Sequence, residues 1–442
     1  MYSTLSTWSA LQASRVCPVR SGILRAAVPL FLSMVTTTLG TLVVTSVLGR
    51  HATVTLAAFA VMSAVLNPAS AAVVGALRGL APFVAPFKDS PAAAVPILRD
   101  ARWLTLLVGT AGALAVLCVP VLARATGAPA EVVAELGPLP WLLALYLLVF
   151  ASGGGANTVL VALGHSRQVL WSSLAAMAAM IGCTVALVPP LGLTGVGVAW
   201  LLSGVAGVAV SNLCLRRALG TRVGQARPRI KEIVRLGRVS IPLAGTVLIK
   251  FGGLGVVTFA ASATGTRDVA AHAVLSTLTA FIMLASISVA QASVPEVARA
   301  RDVTQARRAN RTAALLALAG TAVAAAVLLG FGDSVLALFS DDPSVRERAA
   351  ALLPLMLLAS TADGAQAVQG IGLTALKRSG ASLIYFAAGY GVMVAVSAPV
   401  AAAWGLVGLW WLMAVTNGVL VVLQGSGFRR HSARVGAASV GA

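Results

Sequence analysis

The sequence predicts an all-α integral membrane protein with twelve transmembrane helices in two pseudo-symmetric six-helix bundles. Three observations support this fold class. Of the 442 residues, 58% are hydrophobic and only 10% are charged; apolar stretches of about 20 residues recur along the chain; and the two halves resemble each other at one constant spacing. Backbone groups find no water inside lipid, so only helices or a closed barrel can cross it. These stretches lack the alternation of barrel strands, which favours helices.

Twelve apolar stretches are long enough to be spans, and they lie at 24–48, 54–80, 96–122, 139–157, 167–188, 193–214, 239–262, 269–294, 312–332, 349–373, 380–402 and 405–427. They divide the chain into a cytoplasmic N-terminal tail (1–22), an N-terminal bundle (23–215), a cytoplasmic linker (216–238), a C-terminal bundle (239–428) and a cytoplasmic tail (429–442). The linker is basic and ends in the amphipathic segment IKEIVRLGR, which suits either the lipid headgroups or a solvated loop.

The net charge of +19 is explained by orientation in a membrane, not by nucleic-acid binding. If the N-terminus is cytoplasmic, 26 of the 32 Lys and Arg residues lie in inner loops and tails or toward the cytoplasmic ends of the spans. The outer loops hold only Arg50, Arg124, Arg267, Arg346 and Arg348. Cytoplasmic loops of membrane proteins carry such an excess of basic residues. We therefore expect a multi-pass protein of the inner (plasma) membrane, in contact with the lipid bilayer, with both termini in the cytoplasm.

A single offset of 213 residues relates the two halves. Four pairs share this spacing: Pro29 with Pro242, Asp89 with Asp302, LAAFAVMSA (56–64) with VAAHAVLST (269–277), and LGLTGVG (191–197) with WGLVGLW (404–410). Several matches in one register indicate an internal duplication. Each half has an even number of predicted spans, so the halves have parallel topology. Transporters built in this way bind substrate between or within the halves.

Prolines and glycines mark special points in the predicted spans. Pro29 and Pro242 lie near the cytoplasmic ends of the first and seventh spans. A proline inside a helix removes a hydrogen bond and can act as a hinge, whereas a proline in the first turn can simply begin the helix. Both roles remain open for these prolines. We expect Gly192 with Gly195, and Gly204 with Gly207, to let helices pack closely.

Two charged side chains fall deep within predicted spans, Asp363 in the tenth and Lys250 in the seventh. A charge at the bilayer centre costs about 2.5–3.5 kcal/mol on insertion scales, so such residues usually face a cavity or each other. A Lys–Asp pair in contact would titrate as one unit. We predict that Lys250 and Asp363 couple transport to an ion. The alternatives are a structural helix–helix contact for Asp363 and a lysine that snorkels or only neutralises Asp363.

Helix periodicity places further polar residues beside these charges. Ser360 and Gln366 lie three residues before and after Asp363, so the three share one helix face. Thr246 lies one turn before Lys250. We predict that Ser360, Gln366 and Thr246 line a substrate cavity.

The sequence lacks the motifs of common membrane enzymes and pumps. It contains no GxxxxGK[ST] phosphate-binding loop, no GxSxG and no HExxH. Its four cysteines have no CxxC spacing. We therefore expect no catalytic residues, no metal site and no cofactor. Secondary transport of a small molecule is the function class that remains.

The chain resembles the multidrug and toxic compound extrusion (MATE) family over roughly residues 24–427. The segments that carry the resemblance are PLFLSMVTTTLGTLVVTSVLGR (29–50), AQASVPEVARARD (290–302), LFSDDPSVRERAAALL (338–353) and STADGAQAVQGIGLTAL (360–376). The resemblance implies a fold of two six-helix bundles forming a V. It also implies export of organic compounds by antiport of protons or sodium ions.

The chain departs from the pattern of this family at several positions. Val44 and Thr184 stand where the family often has an acidic residue, and Lys250 reverses the charge of another such position, whereas Asp363 retains its acid. Where the family commonly has asparagines, this chain has Met34, Met177 and Met180. Methionines form an adaptable apolar surface. We predict that these three also line the substrate cavity.

From these features we expect a secondary antiporter, acting as a monomer, that exports small organic compounds of hydrophobic or cationic character. A proton is favoured over sodium as the coupling ion, because the Lys250 ammonium already occupies the place of a cation. Two alternatives remain open: a flippase for a lipid-linked precursor, and a transport-inactive scaffold with the same fold.

Overall fold

The computed structural model describes residues 3–49, 53–224 and 227–436, with side chains for 19–49, 54–224 and 227–436. Arg50 and residues 437–442 of the predicted C-terminal tail lie outside the described residues. Within the described ranges all regular secondary structure is helical, which confirms the all-α class. The helices are α1 (Ser3–Gly49), α2 (Thr53–Arg78), α3 (Ala81–Val84), α4 (Val95–Leu117), α5 (Val119–Ala125), α6 (Ala130–Glu135), α7 (Leu139–Ala162), α8 (Ser166–Leu219), α9 (Ile230–Ser262), α10 (Thr266–Ala298), α11 (Val303–Ala337), α12 (Pro343–Ala375) and α13 (Ser379–Ser432), with 3-10 turns at Ala85–Phe87 and Pro91–Ala94.

Ten helical stretches of the described chain are long and apolar enough to cross a membrane. Two of them, α8 and α13, have 54 residues each. At about 1.5 Å per residue each would measure about 80 Å, more than twice the ~30 Å hydrocarbon core. Each is interrupted near its middle by a glycine with non-helical dihedral angles, Gly192 (φ 53°, ψ −129°) in α8 and Gly405 (φ 58°, ψ −150°) in α13. These breaks allow each helix to supply two spans, and the count of twelve stays a prediction.

The helix boundaries repeat with the same offset as the sequence. The corresponding ends are Gly49 and Ser262 for α1 and α9, Ala162 and Ala375 for α7 and α12, and Leu219 and Ser432 for α8 and α13. The two helix-breaking glycines have this spacing too. So do two loop residues with positive φ, Gly164 (87°) and Lys377 (60°). The duplication inferred from short sequence matches therefore extends to backbone conformation.

The chain divides into two compact units. The N-terminal unit comprises Pro29–Leu248, and the C-terminal unit comprises the chain from Ile249 onward together with the stretch before Pro29. This division lies later than the predicted linker, because α9 runs without a break through residues 230–262 and its first half packs in the N-terminal unit. There Leu236 and Val239 are buried against Leu77, Leu80 and Phe83.

The segment predicted as a linker is mostly helical. Helix α8 continues to Leu219 and α9 begins at Ile230, which leaves a short connection at 220–229. Arg229 fixes the end of this connection, since its Nε donates to Asp100 Oδ2 at 3.0 Å and Asp100 is buried. The amphipathic segment IKEIVRLGR thus forms the first turns of α9 and buries Leu236 against its own unit.

Both units carry large apolar side chains on their outer surfaces. Trp141 in the N-terminal unit and Trp404 in the C-terminal unit are each 70% exposed, and Phe259 and Val323 are similarly exposed. Soluble proteins rarely expose apolar surface on this scale. The interiors, by contrast, contain buried polar groups such as Asp363 and Gln424. This distribution is that of a protein whose solvent is lipid.

Candidate functional site

The two charges predicted inside the spans are in contact. Lys250 Nζ lies 2.7 Å from both carboxylate oxygens of Asp363 and donates a hydrogen bond to each. Lys250 lies in the second half of α9 and Asp363 near the middle of α12, both within the C-terminal unit. The Asp363 side chain is 8% exposed and the Lys250 side chain 27%. The pair is therefore shielded on its carboxylate side and more accessible on its ammonium side.

An aromatic pair packs next to the ion pair. A Cβ atom at Gly253 would lie 2.6 Å from Cδ1 of Tyr390, so the close approach of this ring to α9 requires glycine. Tyr390 stacks on Phe386 with ring centroids 4.3 Å apart, and both rings are buried. Tyr390 also lies within electrostatic range of Asp363. Buried aromatic rings form a surrounding of low polarity, in which electrostatic interactions are stronger than in water.

Gln366 begins a chain of buried polar side chains. Its Nε2 donates to Gln424 Oε1 at 2.9 Å, and Gln424 Nε2 donates to Ser382 Oγ at 3.1 Å. All three residues are buried. The chain joins α12 to both ends of α13, so the polar face predicted for α12 extends into a network inside the C-terminal unit.

Ser360 lies on the same face of α12, one turn before Asp363. Its hydroxyl donates to the carbonyl of Met356 at 2.8 Å and lies 3.3 Å from Thr279 Oγ1. Ser360 is fully buried. It already has partners within the unit, and its role as a substrate-cavity residue stays a prediction.

Both candidate hinge prolines lie inside helices. Pro242 is preceded in α9 by the turns that begin at Ile230, and α1 is helical from Ser3 through Pro29. The possibility that they only begin their helices is therefore wrong, because both helices extend further toward the N-terminus than the apolar pattern indicates. Thr246 Oγ1 donates to the Pro242 carbonyl at 2.9 Å. The hinge role stays a prediction.

A cavity of about 120 Å³ lies within the N-terminal unit. Tyr146 forms its aromatic wall, stacked on Phe150 at 5.3 Å and edge-to-face with Trp200 at 5.1 Å. The predicted residues Met177 and Met180 line the cavity. Its polar lining residues are Thr36, Thr37, Thr41, Asn157, Ser172, Ser173 and Ser203.

Met34, predicted with the other two methionines, lies outside the lining of this cavity.

Val44 and Thr184, which stand at positions where the resemblance led us to expect acids, are both buried. Val44 is fully buried in the apolar core of the N-terminal unit. Thr184 is fully buried, and its hydroxyl has no hydrogen-bond partner among the described residues.

Comparison with known proteins gives relatives along most of the chain. A probable multidrug resistance protein NorM of Xylella fastidiosa is 24% identical over 431 residues, which cover 92% of this chain and 91% of that protein. Another of the same name, from Aromatoleum aromaticum, is 28% identical over 365 residues, 75% of each chain. The model of the MatE family matches residues 242–400, a range that contains both Lys250 and Asp363. The chain is therefore similar to the MatE family over residues 242–400 and to NorM proteins along most of its length.

The fold of this chain is similar to that of a solved transporter. A solved MOP superfamily transporter from Pyrococcus furiosus superposes with a TM-score of 0.82 at 18% identity, covering 94% of this chain and 96% of the other. At this identity the likeness concerns the fold alone. The resemblance inferred from the sequence segments is thus confirmed, as is the all-helical architecture.

Several residues around the site were not predicted from the sequence. Gln424 of α13 contacts the polar face of α12, and Tyr390 of α13 lies within electrostatic range of Asp363. Tyr146 of α7 packs edge to face with Trp200 of α8 in the cavity lining. The sequence contains one indication of the buried network, which is Gln424. Amide side chains are rare in apolar helices and are usually paired or functional there.

Proposed function

We propose that this protein exports small organic compounds across the plasma membrane by alternating access, driven by an ion gradient, with the proton as the coupling ion. The observation that carries the proposal is the Lys250–Asp363 ion pair, closed at 2.7 Å inside the C-terminal unit. The names of the relatives, probable multidrug resistance proteins, support efflux of organic compounds.

Asp363 is the group that we propose to take up and release the proton. In the ion pair its negative charge is balanced by Lys250. Protonation removes that charge and leaves the ammonium without a counter-ion, which costs several kcal/mol in a desolvated site. A conformation in which Lys250 meets water or another partner then becomes favourable, so proton binding shifts the conformational equilibrium. Sodium is a poorer candidate, because Lys250 Nζ already occupies the position next to both carboxylate oxygens.

The cavity of the N-terminal unit supports a hydrophobic or cationic substrate. No charged side chain is among its described lining residues. Aromatic faces such as those of Tyr146 and Trp200 attract cations, and the thioethers of Met177 and Met180 adapt to varied apolar shapes. Its volume of about 120 Å³ is close to the roughly 150 Å³ of a cavity that binds benzene. We propose that it receives one ring-sized part of a larger compound.

Transport by reconstituted protein tests the coupling. Purified wild type, Asp363→Asn and Lys250→Gln are placed in liposomes, and movement of ethidium is followed under an imposed pH gradient or sodium gradient. We expect the wild type to transport ethidium with the pH gradient, and both variants to lose this component at least tenfold. Asp268→Asn is the matched control, because it breaks another ion pair of the C-terminal unit, Asp268–Arg348 at 2.7 Å, and should keep proton coupling.

Three outcomes would contradict parts of this proposal. Proton-driven transport by Asp363→Asn at the wild-type rate would remove Asp363 from the coupling mechanism. A sodium gradient that drives the wild type as well as the pH gradient would overturn the choice of ion. Absence of gradient-dependent movement in the wild type, with ethidium and other organic cations alike, would favour the transport-inactive scaffold.

A further inference from the structure

A second and larger cavity, of about 540 Å³, opens on the outer surface of the N-terminal unit. We call it the lateral groove. Its floor is formed by α7 residues that recur at helical spacing, Ser152, Gly155, Ala156 and Val159. Most of them are small, so the groove is deep. Its walls are α4 and the second half of α8, which contribute mainly apolar side chains such as Leu106 and Val208.

One end of the lateral groove carries two arginines. Arg102 of α4 and Arg216 of α8 both line it and both are exposed. Their charges are close enough to repel each other. Neither takes part in an ion pair among the described residues, and the nearby carboxylate of Asp100 is bound by Arg229. Two adjacent guanidinium groups without a counter-ion favour an anion at this end.

Arg102 is held at the rim by the connection after α8. Its Nη1 donates a hydrogen bond to the backbone carbonyl of Val223 at 2.5 Å. A guanidinium has five N–H donors, so most of its donors remain free to bind an anion. This hydrogen bond thus holds Arg102 at one end of the lateral groove.

The dimensions of the lateral groove match one lipid leaflet. Along α7 it extends from Leu148 to Val159, which is about 17 Å of helix. The hydrocarbon depth of one leaflet is about 15 Å, half of the ~30 Å core. Leu106, the last α4 residue of the lining, is 50% exposed. The acyl chain of a lipid can therefore lie in the lateral groove while the headgroup of the same lipid reaches Arg102 and Arg216.

We propose that the lateral groove binds an anionic phospholipid of the cytoplasmic leaflet. Arg102 and Arg216 hold the phosphate, and one acyl chain lies along α7 between α4 and α8. The choice of leaflet follows from the predicted orientation, which places the arginine end at the cytoplasmic surface. The proposal does not depend on the transport activity proposed above.

Lipid binding by purified full-length protein tests this site. The protein in neutral detergent is titrated with phosphatidylglycerol or phosphatidylcholine, and bound lipids are counted by native mass spectrometry. We expect one phosphatidylglycerol molecule to bind preferentially, and its affinity to fall about thirtyfold in the double variant Arg102→Gln/Arg216→Gln. The matched control Arg99→Gln/Arg217→Gln removes two exposed arginines outside the groove lining and should keep the affinity.

A second variant tests the apolar part of the lateral groove separately from its two arginines. Ser152→Phe fills the exposed floor and should weaken phosphatidylglycerol binding at least tenfold while melting like the wild type in lipid-free detergent. Inorganic phosphate alone should compete poorly with phosphatidylglycerol, because phosphate has no acyl chain to bury in the lateral groove. The proposal is overturned if both arginine double variants weaken binding equally, if phosphatidylcholine binds as well as phosphatidylglycerol, or if phosphate displaces the lipid and Ser152→Phe has no effect.

Discussion

Asp363 and Lys250 can be replaced in ways that separate their structural role from their functional role. Asp363→Asn leaves a partly buried ammonium without its counter-ion. We expect it to lower the free energy of unfolding by about 2–3 kcal/mol, less than for a fully buried pair because the Lys250 side chain is 27% exposed. In Lys250→Gln/Asp363→Asn both charges are absent and the amides can hydrogen-bond, so more than half of the loss should be recovered. Thermal or denaturant unfolding in detergent measures this.

Transport distinguishes the two roles in the same variants. The double variant should remain unable to couple ethidium movement to the pH gradient, although its stability is largely restored. If the destabilisations of the two single variants simply add in the double variant, the two side chains do not interact energetically. If the double variant keeps proton coupling, the pair is only a helix–helix contact.

Asp342, which caps the N-terminus of α12, provides a pH-dependent contribution to stability. Its side chain accepts a hydrogen bond from the backbone N–H of Ser344 at 2.8 Å. Hydrogen bonds from the Ser344 side chain and backbone hold the pKa of Asp342 below its ordinary value of 3.8. A carboxyl whose pKa is lower in the folded state stabilises above its unfolded pKa and loses this effect as the pH falls.

Asp342→Ala should therefore lower the melting temperature at neutral pH, and the difference from the wild type should shrink as the pH falls below about 4. Thermal unfolding in detergent across this pH range measures it. Asp341→Ala is the matched control, since the described structure shows no side-chain hydrogen bond for Asp341, and it should melt like the wild type throughout. A deficit in Asp342→Ala that persists undiminished at the lowest pH contradicts the assignment.

Individual residues differ in how far the sequence could define them. Lys250 and Asp363 stand out because isolated charges are rare in apolar spans, but their contact joins positions 113 residues apart. That contact, like the approach of Tyr390 to Gly253, depends on which helix faces meet. Local periodicity does not contain this information. Met34 lies outside the lining of the 120 Å³ cavity, and its role in substrate binding stays a prediction.

At the scale of elements, the breaks in α8 and α13 are the least predictable features. The sequence favoured close packing for Gly192, Gly204 and Gly207. A Cβ at Gly204 would lie 2.9 Å from the ring of Tyr146, and one at Gly207 would lie 3.1 Å from Ala176, which agrees with close packing. Gly192 instead takes a backbone conformation open almost only to glycine. Glycine thus serves close helix packing at some positions and a helix break at another. The spacing of glycines in the sequence does not distinguish these two roles.

Substitution of the α13 glycines should give effects of opposite sign. A Cβ at Gly405 meets no atom within 4 Å, so Gly405→Ala adds backbone strain alone, and we expect it to destabilise by about 1–3 kcal/mol. Gly391 is exposed in a regular part of the same helix and is equally free of contacts. Gly391→Ala should stabilise by about 0.5–1 kcal/mol. Thermal unfolding of both variants provides the measurement, and a neutral or stabilising Gly405→Ala would show that the break does not need glycine.

At the scale of the whole molecule, the duplication and the charge distribution together determine topology. If α8 and α13 each supply two spans, each half has six spans and both halves have the same orientation. If each crossed the membrane only once, each half would have five spans and the halves would be inverted relative to each other. Helix length alone favours the first arrangement, since about 80 Å of helix greatly exceeds one hydrocarbon core of ~30 Å. A direct test between six and five spans per half must determine on which side of the membrane each connection lies.

Single cysteines introduced at Arg124, Arg217, Arg267 and Arg430 report this sidedness. These four arginines are exposed and lie at helix ends or in connections. With six spans in each half, Arg124→Cys and Arg267→Cys face outward, and a membrane-impermeant maleimide should label them on intact cells lacking an outer membrane barrier. Arg217→Cys and Arg430→Cys should react only after permeabilisation, as expected for basic cytoplasmic ends. A background in which the native cysteines are replaced by serine serves as the control. With five spans in each half, Arg217→Cys would instead be labelled from outside and Arg267→Cys protected, which would refute both the twelve-span count and parallel halves.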